Sequence, residues 1–142
     1  MADLTSTPPD VRARILIVDD HPHAVFTLAR ILERIPAPVD VLTALSGPEA
    51  LALVGEGVDV LIVDYLMPGM TGLELIEQLR ALPVRQPARI ILITAHHSAE
   101  LVARSQQFQI DDYLVKPVPP ARIRTLVESI LQNLHPAIRC SD

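Results

Sequence analysis

The residues of this chain best suited to chemistry are Asp19, Asp20, Asp64, Thr94 and Lys116. Each directly follows a short apolar run. Ile15 to Val18 leads into Asp19 and Asp20, Val60 to Val63 into Asp64, Ile90 to Ile93 into Thr94, and Tyr113 to Val115 into Lys116. Singly these are unremarkable, because turns after strands favour Asp. Gathered at one edge they would be specific. Three carboxylates close together repel, and one is driven toward its protonated form. A hard divalent cation removes that conflict. Oxygen ligands with open positions suit Mg²⁺, which keeps waters and takes one or two carboxylates plus a phosphate oxygen. Such a site can receive a phosphoryl group, whose transfer depends on positioning and electrostatics. A carboxylate can be the nucleophile and form an acyl phosphate. Lys116 can pair with one phosphoryl oxygen, and Thr94 can donate a hydrogen bond to another.

Whether these groups meet depends on the elements that carry them. Uniformly apolar runs this short suit strands buried on both faces, as in a parallel sheet. Val39 to Ala44, with Asp40 and Thr43, reads as an edge strand. Helical spacing separates the runs. Ala24, Leu28, Ile31, Leu32 and Ile35 form one stripe, and Ile123, Leu126, Val127, Ile130, Leu131 and Leu134 form another. Ser46 with Glu49, and Thr71 with Glu74, are capping-box patterns ahead of two further helices. A helix between Ser98 and Gln109 has the faintest pattern. Strand then helix, five times over, implies an α/β chain with right-handed crossovers. The expected fold is a flavodoxin-like doubly wound (βα)5 architecture, a five-stranded parallel sheet of order 2-1-3-4-5. Ligands then bind beyond the carboxyl ends of the strands, where the order reverses between strands one and three. That is where Asp19, Asp20 and Asp64 fall, with Thr94 and Lys116 on the same edge.

Composition excludes several classes. The 142 residues fit one domain; 49% are apolar and 20% charged, which suits an ordered chain with a real core. The net charge of −5, with no basic face, argues against direct nucleic-acid binding. No apolar stretch is long enough to span a bilayer. Residues 1–11 read as a loose arm rather than a signal peptide, 12–135 as the domain and 136–142 as a tail. The cytoplasm is the expected compartment, and the lone Cys140 cannot form an internal disulfide.

With the residues in view, the chain resembles the receiver domains of two-component response regulators, a CheY-like superfamily, over roughly Arg14 to Leu134. The resemblance rests on Ile15-Leu16-Ile17-Val18-Asp19-Asp20, Val63-Asp64-Tyr65-Leu66-Met67-Pro68-Gly69-Met70, Ile93-Thr94-Ala95 and Asp112-Tyr113-Leu114-Val115-Lys116-Pro117. It implies that Asp64 is the phosphoacceptor and that Asp19, Asp20, Asp64 and the backbone carbonyl of Leu66 hold Mg²⁺, with Mn²⁺ or Ca²⁺ as substitutes. Thr94 and Tyr113 become the switch pair, and Lys116 the phosphate-pairing lysine. The Lys116–Pro117 bond is expected to be cis. A sensor histidine kinase or histidine phosphotransfer protein is the implied donor. The surface around the fourth helix, fifth strand and fifth helix is the implied output face, open to a phosphorylation-dependent homodimer. The label of enzyme is not implied beyond the domain's own phosphorylation and dephosphorylation.

Two departures stand out. The turn before the fifth strand is Phe108-Gln109-Ile110-Asp111 where small residues and Gly are usual. Leu66 and His96 occupy positions that tune loss of the phosphoryl group, and Leu66 cannot orient a water, so a long-lived Asp64 phosphate is expected. His21, His23, His96 and His97 match no structural zinc spacing and are expected to be solvated loop residues. His21 is expected to have a raised pKa from the nearby carboxylates. A phosphohydrolase would need a second carboxylate two residues after Asp64, where Leu66 stands. An FMN carrier would need a phosphate-cradling loop where Asp20-His21-Pro22-His23 stands. A receiver-like interaction module that takes no phosphate is the remaining alternative.

Overall fold

A computed structural model describes residues 12–134. The arm and the tail, including Cys140, lie outside the described residues. The elements alternate strictly: β1 (Ala13–Val18), α1 (Pro22–Glu33), β2 (Val39–Ala44), α2 (Gly47–Val54), β3 (Val60–Asp64), α3 (Gly72–Arg80), β4 (Arg89–Thr94), α4 (Ala99–Gln107), β5 (Asp112–Val115) and α5 (Pro120–Leu134). The five strands are parallel, in the order β2-β1-β3-β4-β5. The expected topology and the edge position of β2 are therefore observed.

The pleat divides the core in two. Side chains alternate faces along a strand. Ala13, Ile15 and Ile17 of β1, Val60 and Ile62 of β3, Ile91 and Ile93 of β4 and Leu114 of β5 pack under α1 and α5. Leu16, Val18, Leu61, Val63, Ile90 and Leu92 pack under α2, α3 and α4. Both faces of the central strands are buried, which is why their sequences are continuous apolar runs rather than alternating ones.

Local chemistry sets the helix starts. Thr71 and Glu74 form the complete capping box, with Glu74 N–H donating to Thr71 Oγ1 at 3.1 Å and Thr71 N–H to Glu74 Oε1 at 3.0 Å. At α2 only half of the expected box is made, Glu49 N–H to Ser46 Oγ at 3.3 Å. Ser98 caps α4 by accepting from Leu101 N–H at 3.0 Å. Two expectations change. In α1 the buried stripe is Val25, Leu28, Ala29 and Leu32, while Ala24 is exposed and Ile31 half-buried. Packing of α1 on the sheet places Val25 inside. The fourth helix ends at Gln107, and Gln109 takes a left-handed φ of 58°. Arg80 holds that turn, donating to the carbonyls of Phe108 at 3.0 Å and Gln109 at 2.9 Å.

Candidate functional site

The strand register gathers the predicted residues at one rim. Val18 is aligned with Val63, so Asp19 and Asp64 stand next in line on adjacent strands. Asp64 is aligned with Ile93, and Thr94 with Val115, which Lys116 follows. Backbone pairing continues past the strand ends, with Tyr65 N–H donating to Ile93 O and Lys116 N–H to Thr94 O, both at 2.8 Å. Asp64 and Thr94 are the last residues of their strands rather than the first of their loops. Pleat alternation then sorts them. Asp19, Asp64 and Lys116 continue the α1/α5 face, whereas Thr94 and Tyr113 continue the α3/α4 face.

Asp64 is buried, 6% exposed, and its Oδ1 lies 2.6 Å from Lys116 Nζ. Burial pushes its pKa up, the Lys116 contact opposes this, and repulsion from Asp19 and Asp20 adds to the rise. His21 Nδ1 stands 2.9 Å from Asp19 Oδ1 and 3.2 Å from Asp20 Oδ1. The hydrogen bond to Asp19 and the charge of Asp20 raise the His21 pKa, as expected from the sequence. Single ligand atoms of Asp19, Asp20 and His21 lie within 4.8 Å of one another, and Asp64 stands outside that trio, held by Lys116. Asp20 Oδ1 is buried without a hydrogen-bond partner, its approach to His21 being out of line for one. An anionic oxygen in that state suits a cation. Acidic oxygens at this density fit Mg²⁺, with His21 as a neighbour that none of the sequence reasoning placed among the ligands.

The connection after Asp64 is built around two glycines. Gly69 has φ +80°, a left-handed turn that a side chain would strain. At Gly72 a Cβ would sit 2.5 Å from the Asp64 carbonyl oxygen and 2.7 Å from Val63 Cγ1. Gly72 thus lets α3 start hard against the end of β3, with its N–H donating to Tyr65 O at 2.6 Å. Nothing in the sequence distinguished it, because the close approach exists only once α3 folds back. Leu66 lies in this connection and is 57% exposed.

Thr94 is buried, and its Oγ1 accepts from His96 N–H at 2.8 Å. Tyr113 is half-buried, with its hydroxyl 3.2 Å from His97 Nδ1. His97 is exposed in its loop, as expected, and also meets the Tyr113 hydroxyl. The Lys116–Pro117 bond is cis, as expected. A cavity of about 810 Å³ opens beside Asp19, Asp64 and Lys116, between Ala24 and Thr27 of α1 and Val118 and Ile123 on the other side.

The model of the response regulator receiver domain matches residues 15–128. A cyclic di-GMP phosphodiesterase response regulator, RpfG, of Xanthomonas campestris is 35% identical over 128 residues, covering 89% of this chain and 34% of the relative. The alkaline phosphatase synthesis regulator PhoP of Bacillus subtilis is 33% identical over 121 residues, and the chain spans about half, 49%, of its length. A chemotaxis protein CheY homolog of Campylobacter jejuni is 33% identical over 123 residues, covering 83% of this chain and 92% of that one. Among solved structures, the Vibrio cholerae chemotaxis protein CheY4 superposes with a TM-score of 0.75 at 30% identity, covering 85% of this chain and all of that one.

Proposed function

The chain belongs to the response regulator receiver domain family, and from that premise we propose that it is the phosphoacceptor of a two-component phosphorelay, with Asp64 taking the phosphoryl group. The donor is a phosphohistidine on a sensor histidine kinase or histidine phosphotransfer protein. A carboxylate oxygen of Asp64 bonds to phosphorus as the P–N bond breaks, and the leaving imidazole keeps that electron pair. Lys116, already 2.6 Å from Asp64 Oδ1, pairs with a phosphoryl oxygen. Asp19, Asp20, Asp64 and the Leu66 carbonyl would hold Mg²⁺, or Mn²⁺ or Ca²⁺ in its place. When bound, the cation supplies positive charge against the phosphoryl oxygens.

The reaction ends in a signal, because the phosphate adds roughly two negative charges. Thr94 hydrogen-bonds to the phosphoryl group, Tyr113 repacks, and the surface formed by α4, β5 and α5 changes its population of states. That surface is offered to an output partner or to a second phosphorylated copy. The chain catalyses only its own phosphorylation and dephosphorylation. Among the described residues no helix is long and apolar enough to cross a membrane, and we place the work of the domain in the cytoplasm.

The observation that carries this reading is the buried Asp64 carboxylate paired to Lys116 beside Asp19 and Asp20. The test is incubation with acetyl phosphate and Mg²⁺, read by intact mass. One phosphoryl group should be gained, and lost in Asp64→Asn. A wild-type chain that gains none would favour the phosphate-free interaction module.

A further inference from the structure

The connection between β4 and α4, residues 95–98, touches both proposed switch residues. The His96 N–H donates to Thr94 Oγ1 at 2.8 Å. One residue on, His97 Nδ1 lies 3.2 Å from the Tyr113 hydroxyl, and the two rings meet edge-on at 5.6 Å and 60°. The next residue, Ser98, is fixed as the cap of α4. Thr94 and Tyr113 lie on the same face of neighbouring strands, since Tyr113 is aligned with Leu92, two residues before Thr94. Two hydroxyls, on two strands, are therefore bonded to adjacent residues of one short loop.

We infer that His97 is a latch: it holds the Tyr113 side chain at the exposed rim of the sheet and releases it when Thr94 moves. The inference rests on the function proposed above. Thr94 Oγ1 cannot move toward a phosphoryl group on Asp64 without stretching its bond from the His96 N–H. The loop is short and pinned at Ser98, so a shift at His96 is passed to His97. Losing the His97 contact frees the Tyr113 hydroxyl, and its ring can then turn into the space that Thr94 leaves. The ring packing gives the latch more than a hydrogen bond, because an edge-on aromatic contact adds its own attraction. His97 acts through Tyr113, so it is a positioning residue.

The test replaces the tyrosines of the full chain with fluorotyrosine and follows the Tyr113 resonance, assigned by its loss in Tyr113→Phe. Beryllofluoride with Mg²⁺ serves as the phosphoryl mimic and marks the switched position. In His97→Ala, without mimic, the resonance should move part of the way to the switched position. The rate of phosphorylation by acetyl phosphate should rise about three- to tenfold, the population shift expected for losing one hydrogen bond and one ring contact. His97→Asn, which keeps a hydrogen-bonding group near the Nδ1 position, should restore much of the wild-type resonance. A Tyr113 resonance identical in wild type and His97→Ala overturns the latch, as does a shifted resonance with an unchanged phosphorylation rate. A wild type that neither takes phosphate nor responds to beryllofluoride overturns the function proposed above instead.

Discussion

Lys116→Met removes the cation paired with Asp64 while keeping most of the side chain's length. The pair is unequal, since the Asp64 side chain is 7% exposed and that of Lys116 is 40%. At 2.6 Å and an effective dielectric constant of about 20, the gross attraction is ~6 kcal/mol. Desolvation of the carboxylate and water around the lysine offset most of it. Removing one partner of a fully buried pair costs about 3–5 kcal/mol. The exposure of Lys116 lowers this, and we expect a loss of about 2 kcal/mol at pH 7. The assay is urea unfolding with chelator present, comparing wild type, Lys116→Met, Asp64→Asn and the double variant. Asp64→Asn should be as stable as wild type or more so, because it removes a carboxylate that burial already disfavours. In that background Lys116→Met should cost little. Asp64 has a pKa raised above its ordinary value of 3.8, so folding favours its protonated form. Lowering the pH through the raised folded value therefore adds stability, and the gain is complete below the unfolded value. Lys116 lowers the Asp64 pKa, so without it the folded value rises further, and the deficit of Lys116→Met should shrink as the pH falls from that higher value to the wild-type folded value. Saturating Mg²⁺ should also reduce it, because a cation beside the carboxylate that has lost its lysine stabilises folded Lys116→Met more than wild type. A deficit that does not change with pH and persists beside Asp64→Asn would refute the assignment of Lys116 as the counter-ion of Asp64.

Other positions are as open to measurement. Gly72→Ala places a methyl group 2.5 Å from the Asp64 carbonyl oxygen, and overpacking of this kind costs about 1–3 kcal/mol, read as a lower urea midpoint. Gln109→Gly should add about 0.5–1 kcal/mol of stability, read as a higher urea midpoint, because the left-handed backbone at φ 58° favours glycine. Thr71→Ala should cost about 1 kcal/mol at neutral pH through the lost cap. The backbone and hydroxyl of Thr71 hold the Glu74 pKa below its ordinary value, so the Glu74 contribution is present above the unfolded pKa and fades as the pH falls through the folded one. The Asp64 phosphate should be lost slowly, and Leu66→Gln, which adds a group able to orient water at an exposed position, should speed that loss several-fold by mass-resolved decay. Decay no faster in Leu66→Gln than in wild type would remove Leu66 as its cause.

The fold was legible because each strand carries its own signature. Val60 to Val63 is apolar at every position because both faces of β3 are covered, and two-sided burial of that kind leaves its mark on the residues themselves. Capping was legible where it is local, as at Thr71 and Glu74. It failed in part at Glu49, whose side chain has a choice between the cap and solvent that no spacing decides. The stripe of α1 was misjudged for a related reason. Apolar Ala24 and Val25 are adjacent, and only the direction in which the helix meets the sheet decides that Val25 is inside.

The candidate site divides in the same way. That Asp19, Asp20, Asp64, Thr94 and Lys116 reach one rim followed from strand ends and a parallel order, both written in short-range pattern. The ion pair of Lys116 with Asp64, the approach of α3 that only Gly72 allows, and the hold of His97 on Tyr113 join residues far apart along the chain. By itself, then, the sequence determined which elements form and which chemical groups stand at their ends, because those follow from local propensity and hydrophobic period, while the pairing order came from the topology that strict strand–helix alternation favours. Only the tertiary structure decided which group touches which, because pleat parity, register and helix rotation act over distances that no local pattern records.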